Sequence, residues 1–149
     1  MRIILLALAA LFVTLPAAAE DFQTIKSKYS VKETIDRLAS TLEKKGIRVM
    51  ARVNHAAGAK SAGLDLKPTE LLIFGNPKLG TPLMQTNRMI ALDLPMKVLA
   101  WEDDKGKVHV AYTTPAALAK RHGVDGRDEI IAKMTKALAG LTAAAAGAN

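Results

Sequence analysis

The sequence contains no cysteine. Disulfides, thiol redox chemistry, cysteine nucleophiles and cysteine-ligated metal are therefore excluded. Aromatic residues make up only 4% of the chain, with a single Trp. That is too few for a base-stacking platform, and nucleic acid is not expected as a partner. Histidine is equally scarce: His55, His109 and His122 are the only three, and no two have a ligand spacing such as H-x-x-x-H. No serine stands in a recognisable nucleophile motif. No segment beyond the N-terminus approaches the roughly 18 apolar residues that a membrane span needs.

What the N-terminus does have is one short apolar run, Ile3 to Leu15, behind Met1-Arg2. Pro16 breaks it, and Ala17-Ala18-Ala19 supplies the small-x-small pattern of a signal peptidase site. The expectation is a secretory leader over 1–19, a single globular domain over 20–142, and an alanine-rich tail over 143–149 that frays. A disulfide-free exported domain fits a bacterial periplasm, with no stable membrane span once the leader is removed.

The chain carries a formal charge of +7. From Glu20 to Glu43 there are four basic and five acidic residues, and from Val98 onward seven and six. Lys44 to Lys97 holds nine basic and three acidic residues, so the excess sits in the middle third. In an exported protein this favours a small anionic molecule as partner.

The patterning predicts an α+β domain. Phe22 to Tyr29 reads as a first strand. Ser30-Val31-Lys32-Glu33 has the form of a capping box, followed by Val31, Ile35, Leu38 and Leu42 at helical spacing and a stop at Gly46. Ile47, Val49, Ala51 and Val53 alternate with polar or larger residues, which predicts a half-buried strand ending at Asn54-His55. Ala56 to Gly63 fits a short helix or an irregular loop. Glu70 to Phe74 is apolar enough for an interior strand. Gly75-Asn76-Pro77 reads as a turn, Thr81-Pro82 as the N-cap and first residue of a helix to about Asn87, and Ile90 to Leu94 as extended. Lys97 to Asp103 and Lys107 to Thr113 form a hairpin with Gly106 in the left-handed position. Thr114-Pro115 opens a helix to about His122, and Asp128 to about Thr142 is the last one. A mostly antiparallel sheet with its helices on one face fits this order.

The stretch Phe74-Gly75-Asn76-Pro77-Lys78, then Gly80-Thr81-Pro82-Leu83-Met84 and Ala91-Leu92-Asp93-Leu94-Pro95, resembles the bacterial domain of unknown function 302 family. The flanks agree: His55 after the second strand, Ala59-Lys60 and Ala62-Gly63 in the small-residue segment, Trp101-Glu102-Asp103 before the hairpin turn, and His122-Gly123. The resemblance covers nearly all of Phe22 to Leu141. It implies a fold similar to one repeat of the TATA-binding-protein fold, and homodimerisation. It implies no activity, so no catalytic residue is carried over. Members often have Asp before the histidine, where this chain has Asn54.

Four chemistries compete. A helix start at Thr81 with Asn76 and Lys78 nearby would cradle an anion, although rigid turn and cap also explain these residue types. His55, alone or with Asp93, could act as a general base in a hydrolase-like enzyme, or simply end a strand. Histidines and methionines could hold copper(I), although methionine equally serves as packing. Trp101 and Leu99 point the same way on one strand and would form an interface or a piece of core. The reading that combines these features is an exported binding domain. Asn76, Lys78 and Thr81 would hold a small anion, Lys60 and His55 would sit on the rim, and Met84 and Trp101 would supply an apolar wall. The alternatives are a homodimeric envelope interaction protein without ligand, or an enzyme using His55. No cofactor and no metal are expected.

Overall fold

The computed structural model describes residues 21–148, so the leader expected over 1–19 and the terminal Asn149 lie outside the described residues. Within them the element order is β1 (Phe22–Ser27), α1 (Val31–Lys44), β2 (Arg48–Asn54), α2 (His55–Ser61), β3 (Thr69–Gly75), α3 (Pro77–Thr86), a 3₁₀ turn (Arg88–Leu92), β4 (Met96–Glu102), β5 (Val108–Thr113), α4 (Pro115–Arg121) and α5 (Asp128–Ala146). The strands form one sheet in the order β1-β5-β4-β3-β2, every pair antiparallel. This is an α+β fold.

One face of the sheet is closed and the other open. Leu72 and Phe74 on β3, Met96, Val98 and Ala100 on β4, and Val110 and Tyr112 on β5 alternate as buried positions. Helices α1 and α5 pack on that face and on each other. Helix α1 contributes Val31, Ile35, Leu38 and Leu42, the four residues its spacing predicts, and Ser30 Oγ caps it by accepting the Glu33 N–H at 3.2 Å. Residues of the opposite register, Leu71, Ile73, Leu99, Trp101 and Ala111, are only half-buried.

Five expectations are corrected. The first strand stops at Ser27 (of the two forms expected for Ala56 to Gly63 it is the helix that forms, α2, capped by Asn54). The regular alternation of β2 is broken by a bulge: the register shifts between Val49 and Ala51, so Val49 pairs with Phe74 on the helix face while Ala51 pairs with Ile73 on the open one. Helix α3 starts at Pro77 rather than Thr81, because the Asn76-Pro77 pair is itself an N-cap with proline at N1. Pro82 lies inside the helix and gives up one helical hydrogen bond, and the next residue, Leu83, is buried. The extended segment expected over Ile90 to Leu94 is largely a 3₁₀ turn that buries Ile90 completely.

The fifth correction concerns the tail. Helix α5 runs to Ala146, with Ala145 and Ala146 buried. Its last carbonyls, which a helix end leaves free, are taken by donors from elsewhere. Arg37 Nε donates to the Ala145 carbonyl at 3.2 Å and the Lys28 N–H to that of Ala146 at 2.9 Å. The Arg37 guanidinium also stacks 4.1 Å above the Tyr29 ring. Alanine content says nothing about such partners.

Candidate functional site

Residues expected to form one site are divided between the two ends of β3. At its N-terminal end a cleft of about 490 Å³ opens between α2, the start of α1 and the 64–68 segment. Lys60 lines it, together with Lys32, Asn54, Asp65, Leu66 and Glu70. At the C-terminal end a cavity of about 200 Å³ is lined by Asn76, Thr81 and Met84 among others. Six residues of strand, about 20 Å at ~3.3 Å per residue, separate Thr69 at the first from Gly75 at the second. His55, Lys78 and Trp101 line neither.

The cradle expected around Thr81 is not formed. Asn76 Oδ1 accepts the Lys78 N–H at 2.9 Å, so the side chain itself occupies a donor that an anion would use. Thr81 is inside α3, past the first turn where N–H groups are free. Lys78 is exposed on that first turn. Among the described residues the cavity beside Asn76 and Thr81 has no ionisable lining residue.

The cleft at α2 is chemically different. Asn54 Oδ1 caps α2 through the Ala57 N–H at 2.8 Å, and its amide NH₂ has no hydrogen-bond partner among the described residues. Lys32 is paired with Asp36 at 2.8 Å. Glu70, buried on the helix face, accepts from Arg52, which also reaches Asp36. These hydrogen bonds raise the Arg52 pKa, Glu70 contributing most. The hydrogen bonds from Lys32 and Arg52 hold Asp36 below the ordinary carboxylate range. Among the described residues the side chains of Lys60 and Asp65 have no hydrogen-bond or ion-pair partner. Leu64 and Leu66 beside them are 65% and 49% exposed. The cleft thus offers one free ammonium, one free carboxylate and an uncovered apolar strip.

His55 is the first residue of α2, exposed, and its imidazole has no hydrogen-bond partner among the described residues, Asp93 included. Asp93 instead takes His122 Nε2 at 2.6 Å and Arg121 Nη1 at 3.1 Å, which lower its pKa, His122 first. A second histidine–aspartate pair joins His109 Nε2 to Asp103 Oδ2 at 2.8 Å, and His109 stacks on Trp101 with ring centroids 5.2 Å apart. Sequence reasoning missed both pairs. The hairpin register, which sets Trp101 opposite His109, was the one signal that could have found the stack. Trp101 and Leu99 do share a face, the open one.

The family model described as "Domain of unknown function DUF302" matches residues 23–141. Two Brucella proteins named fluoride-specific ion channels are 52% identical over 110 residues, 74% of this chain: FluC 1 of Brucella suis biovar 1 (strain 1330) and FluC 2 of Brucella melitensis biotype 1. The match covers 43% and 41% of those proteins, so the chain spans less than half the length of the curated relatives it matches. The crystal structure of an uncharacterized conserved DUF302 protein from Bacillus stearothermophilus superposes with a TM-score of 0.76 at 23% identity. It covers 85% of this chain and 99% of that one. Among the described residues no helix is long and apolar enough to cross a membrane.

Proposed function

We propose a ligand-binding role for this chain, which belongs to the DUF302 family: an exported domain that takes a small amphipathic carboxylate in the cleft beside α2. The observation that carries the reading is the free Lys60 ammonium in a cleft whose apolar strip, Leu64 and Leu66, is open to solvent. The carboxylate would meet Lys60 and the amide NH₂ of Asn54, and the apolar body would cover the leucines. Asp65 restricts the choice, because a second negative group would meet a carboxylate there. A monoanion or an amino-acid-like zwitterion suits the cleft. Two relatives that carry a similar segment are named as fluoride-specific ion channels, which supports an anion for this cleft. This moves the proposed anion site from the Asn76 to Thr81 segment to the other end of β3.

The test is calorimetric titration of the protein with octanoate, with butyrate to vary the apolar body and sodium fluoride to isolate the anion. Octanoate should bind more tightly than butyrate, and Lys60→Ala should weaken it at least ten-fold. Equal affinity in Lys60→Ala overturns the reading.

A second reading rests on the open sheet face. Leu71, Ile73, Leu99 and Trp101 form an apolar centre with no helix of the described residues packed over it. The ammonium of Lys97, the charged residue at the centre of that face, is drawn aside by the carbonyls of Asp93 at 2.8 Å and Pro95 at 3.3 Å. A second copy of the chain laid on this face would bury that patch. The two readings are compatible, since the cleft lies on the helix side.

A further inference from the structure

Six methionines occur in the chain, at 1, 50, 84, 89, 96 and 134. Four of them, Met50, Met84, Met96 and Met134, are among the twelve residues lining the 200 Å³ cavity at the C-terminal end of β3. Each comes from a different element: β2, α3, β4 and α5. Used as mere filling, methionine would be expected across the core, yet the remainder of the buried cluster is leucine, isoleucine, valine, alanine, phenylalanine and tyrosine. Met89, the one described methionine outside the cavity, is 58% exposed.

Three features make this convergence a site rather than a seam. Met50 sits at the β2 bulge, where the register breaks between Val49 and Ala51 and the residue has no partner on β3. Such bulges re-aim a side chain. Met50 is also 42% exposed, so the lining of the cavity reaches solvent at this residue. Finally, Gly75 and Gly80 bring backbone close to the 94–95 segment: a Cβ on Gly75 would lie 3.2 Å from Pro95 Cβ, and one on Gly80 3.7 Å from Leu94 Cδ1. The wall is therefore tight around a small space.

We propose that this cavity binds a soft monovalent cation, copper(I) by chemical class, through methionine sulfur. Thioethers are neutral, polarisable donors that suit copper(I) and its analogue silver(I) and bind hard cations poorly. With no ionisable group in the lining, sodium, magnesium and calcium find no charge to offset their dehydration. Neutral sulfur also needs no deprotonation, so affinity should persist below the pH at which imidazole sites protonate. The cavity is separate from the α2 cleft and does not depend on the carboxylate reading.

Silver(I) is the direct probe, titrated into the full chain labelled with ¹³C at the methionine ε-methyl groups. The signals of Met50, Met84, Met96 and Met134 should shift together at one equivalent, with Met1 and Met89 still. Met50→Leu/Met84→Leu keeps the apolar volume and removes two sulfurs. It should lower silver(I) affinity at least ten-fold, with Met89→Leu unchanged, and the wild type should withdraw copper(I) anaerobically from bicinchoninate. A cavity that merely holds apolar molecules would be indifferent to leucine. Undiminished silver(I) binding in the double variant, or shifts confined to Met1 and Met89, overturns the proposal.

Discussion

Arg52 on β2 donates its Nε–H to Glu70 on β3, the one charged residue that is buried among the described residues. The same guanidinium reaches Asp36 on α1. One side chain thus ties sheet to helix layer and satisfies a carboxylate that burial would otherwise penalise. It does so because the bulge at Met50 turns Arg52 to the helix side, opposite Leu72.

Arg52→Met removes the partner and leaves Glu70 buried. Breaking a fully buried pair costs about 3–5 kcal/mol, and the Arg52 side chain is 34% exposed. A loss of about 2 kcal/mol is therefore expected in urea unfolding. Adding Glu70→Leu should restore most of it, because the orphaned charge goes too.

Asp103 supplies a pH test. Its Oδ2 is hydrogen-bonded to His109 and its Oδ1 accepts the N–H groups of Lys105 and Lys107, the last two at 2.9 and 2.8 Å. These bonds, that from His109 foremost, lower its pKa from 3.8 to about 2. A carboxyl depressed in the folded state stabilises above its unfolded pKa, and that contribution fades as pH falls toward the folded one. The melting temperature should drop between about pH 4 and pH 2, and Asp103→Asn should flatten the drop while lowering stability at neutral pH.

The end of α5 is held rather than frayed. Gly147 has φ +67, and an added Cβ would lie 2.8 Å from Tyr29 Cε2. Gly147→Ala therefore combines backbone strain with a clash and should cost about 1–3 kcal/mol by thermal melting. Removing residues 143–149 should cost at least as much, because the Arg37 and Lys28 hydrogen bonds go with it.

Leu99 is half-exposed at the centre of the open sheet face. Leu99→Glu should leave the circular dichroism spectrum unchanged and turn a dimer into a monomer in sedimentation equilibrium. A monomeric wild type, or a dimer that survives the charge, would remove the second reading.

The octanoate and silver(I) experiments address opposite ends of β3. Their outcomes are independent, because Lys60 and the methionines share no element and no cavity.

Local signals were legible wherever the competing states differed within a few residues. Ser30 followed by Val31, Ile35, Leu38 and Leu42 specified α1, and Gly106 adopts the left-handed turn with φ 71. Two helix starts stood in competition at Asn76-Pro77 and Thr81-Pro82, and each satisfies the same local rule. Burial of Leu83 within a helix begun at the first start accompanies the outcome. Likewise the β2 alternation was regular, but one bulge residue reversed the faces of everything after it.

By itself the sequence determined the family, the α+β class, the principal strands and the two long helices, because spacing, caps and turn residues act over a few positions. Only tertiary structure decided the grouping of side chains. It parted Lys60 from Asn76 and Thr81, gave His122 rather than His55 to Asp93, and gathered four methionines from four elements. The reason is geometric. Strand length sets separations of about 20 Å between residues close in sequence, while antiparallel pairing and packed layers unite residues scattered from position 50 to 134.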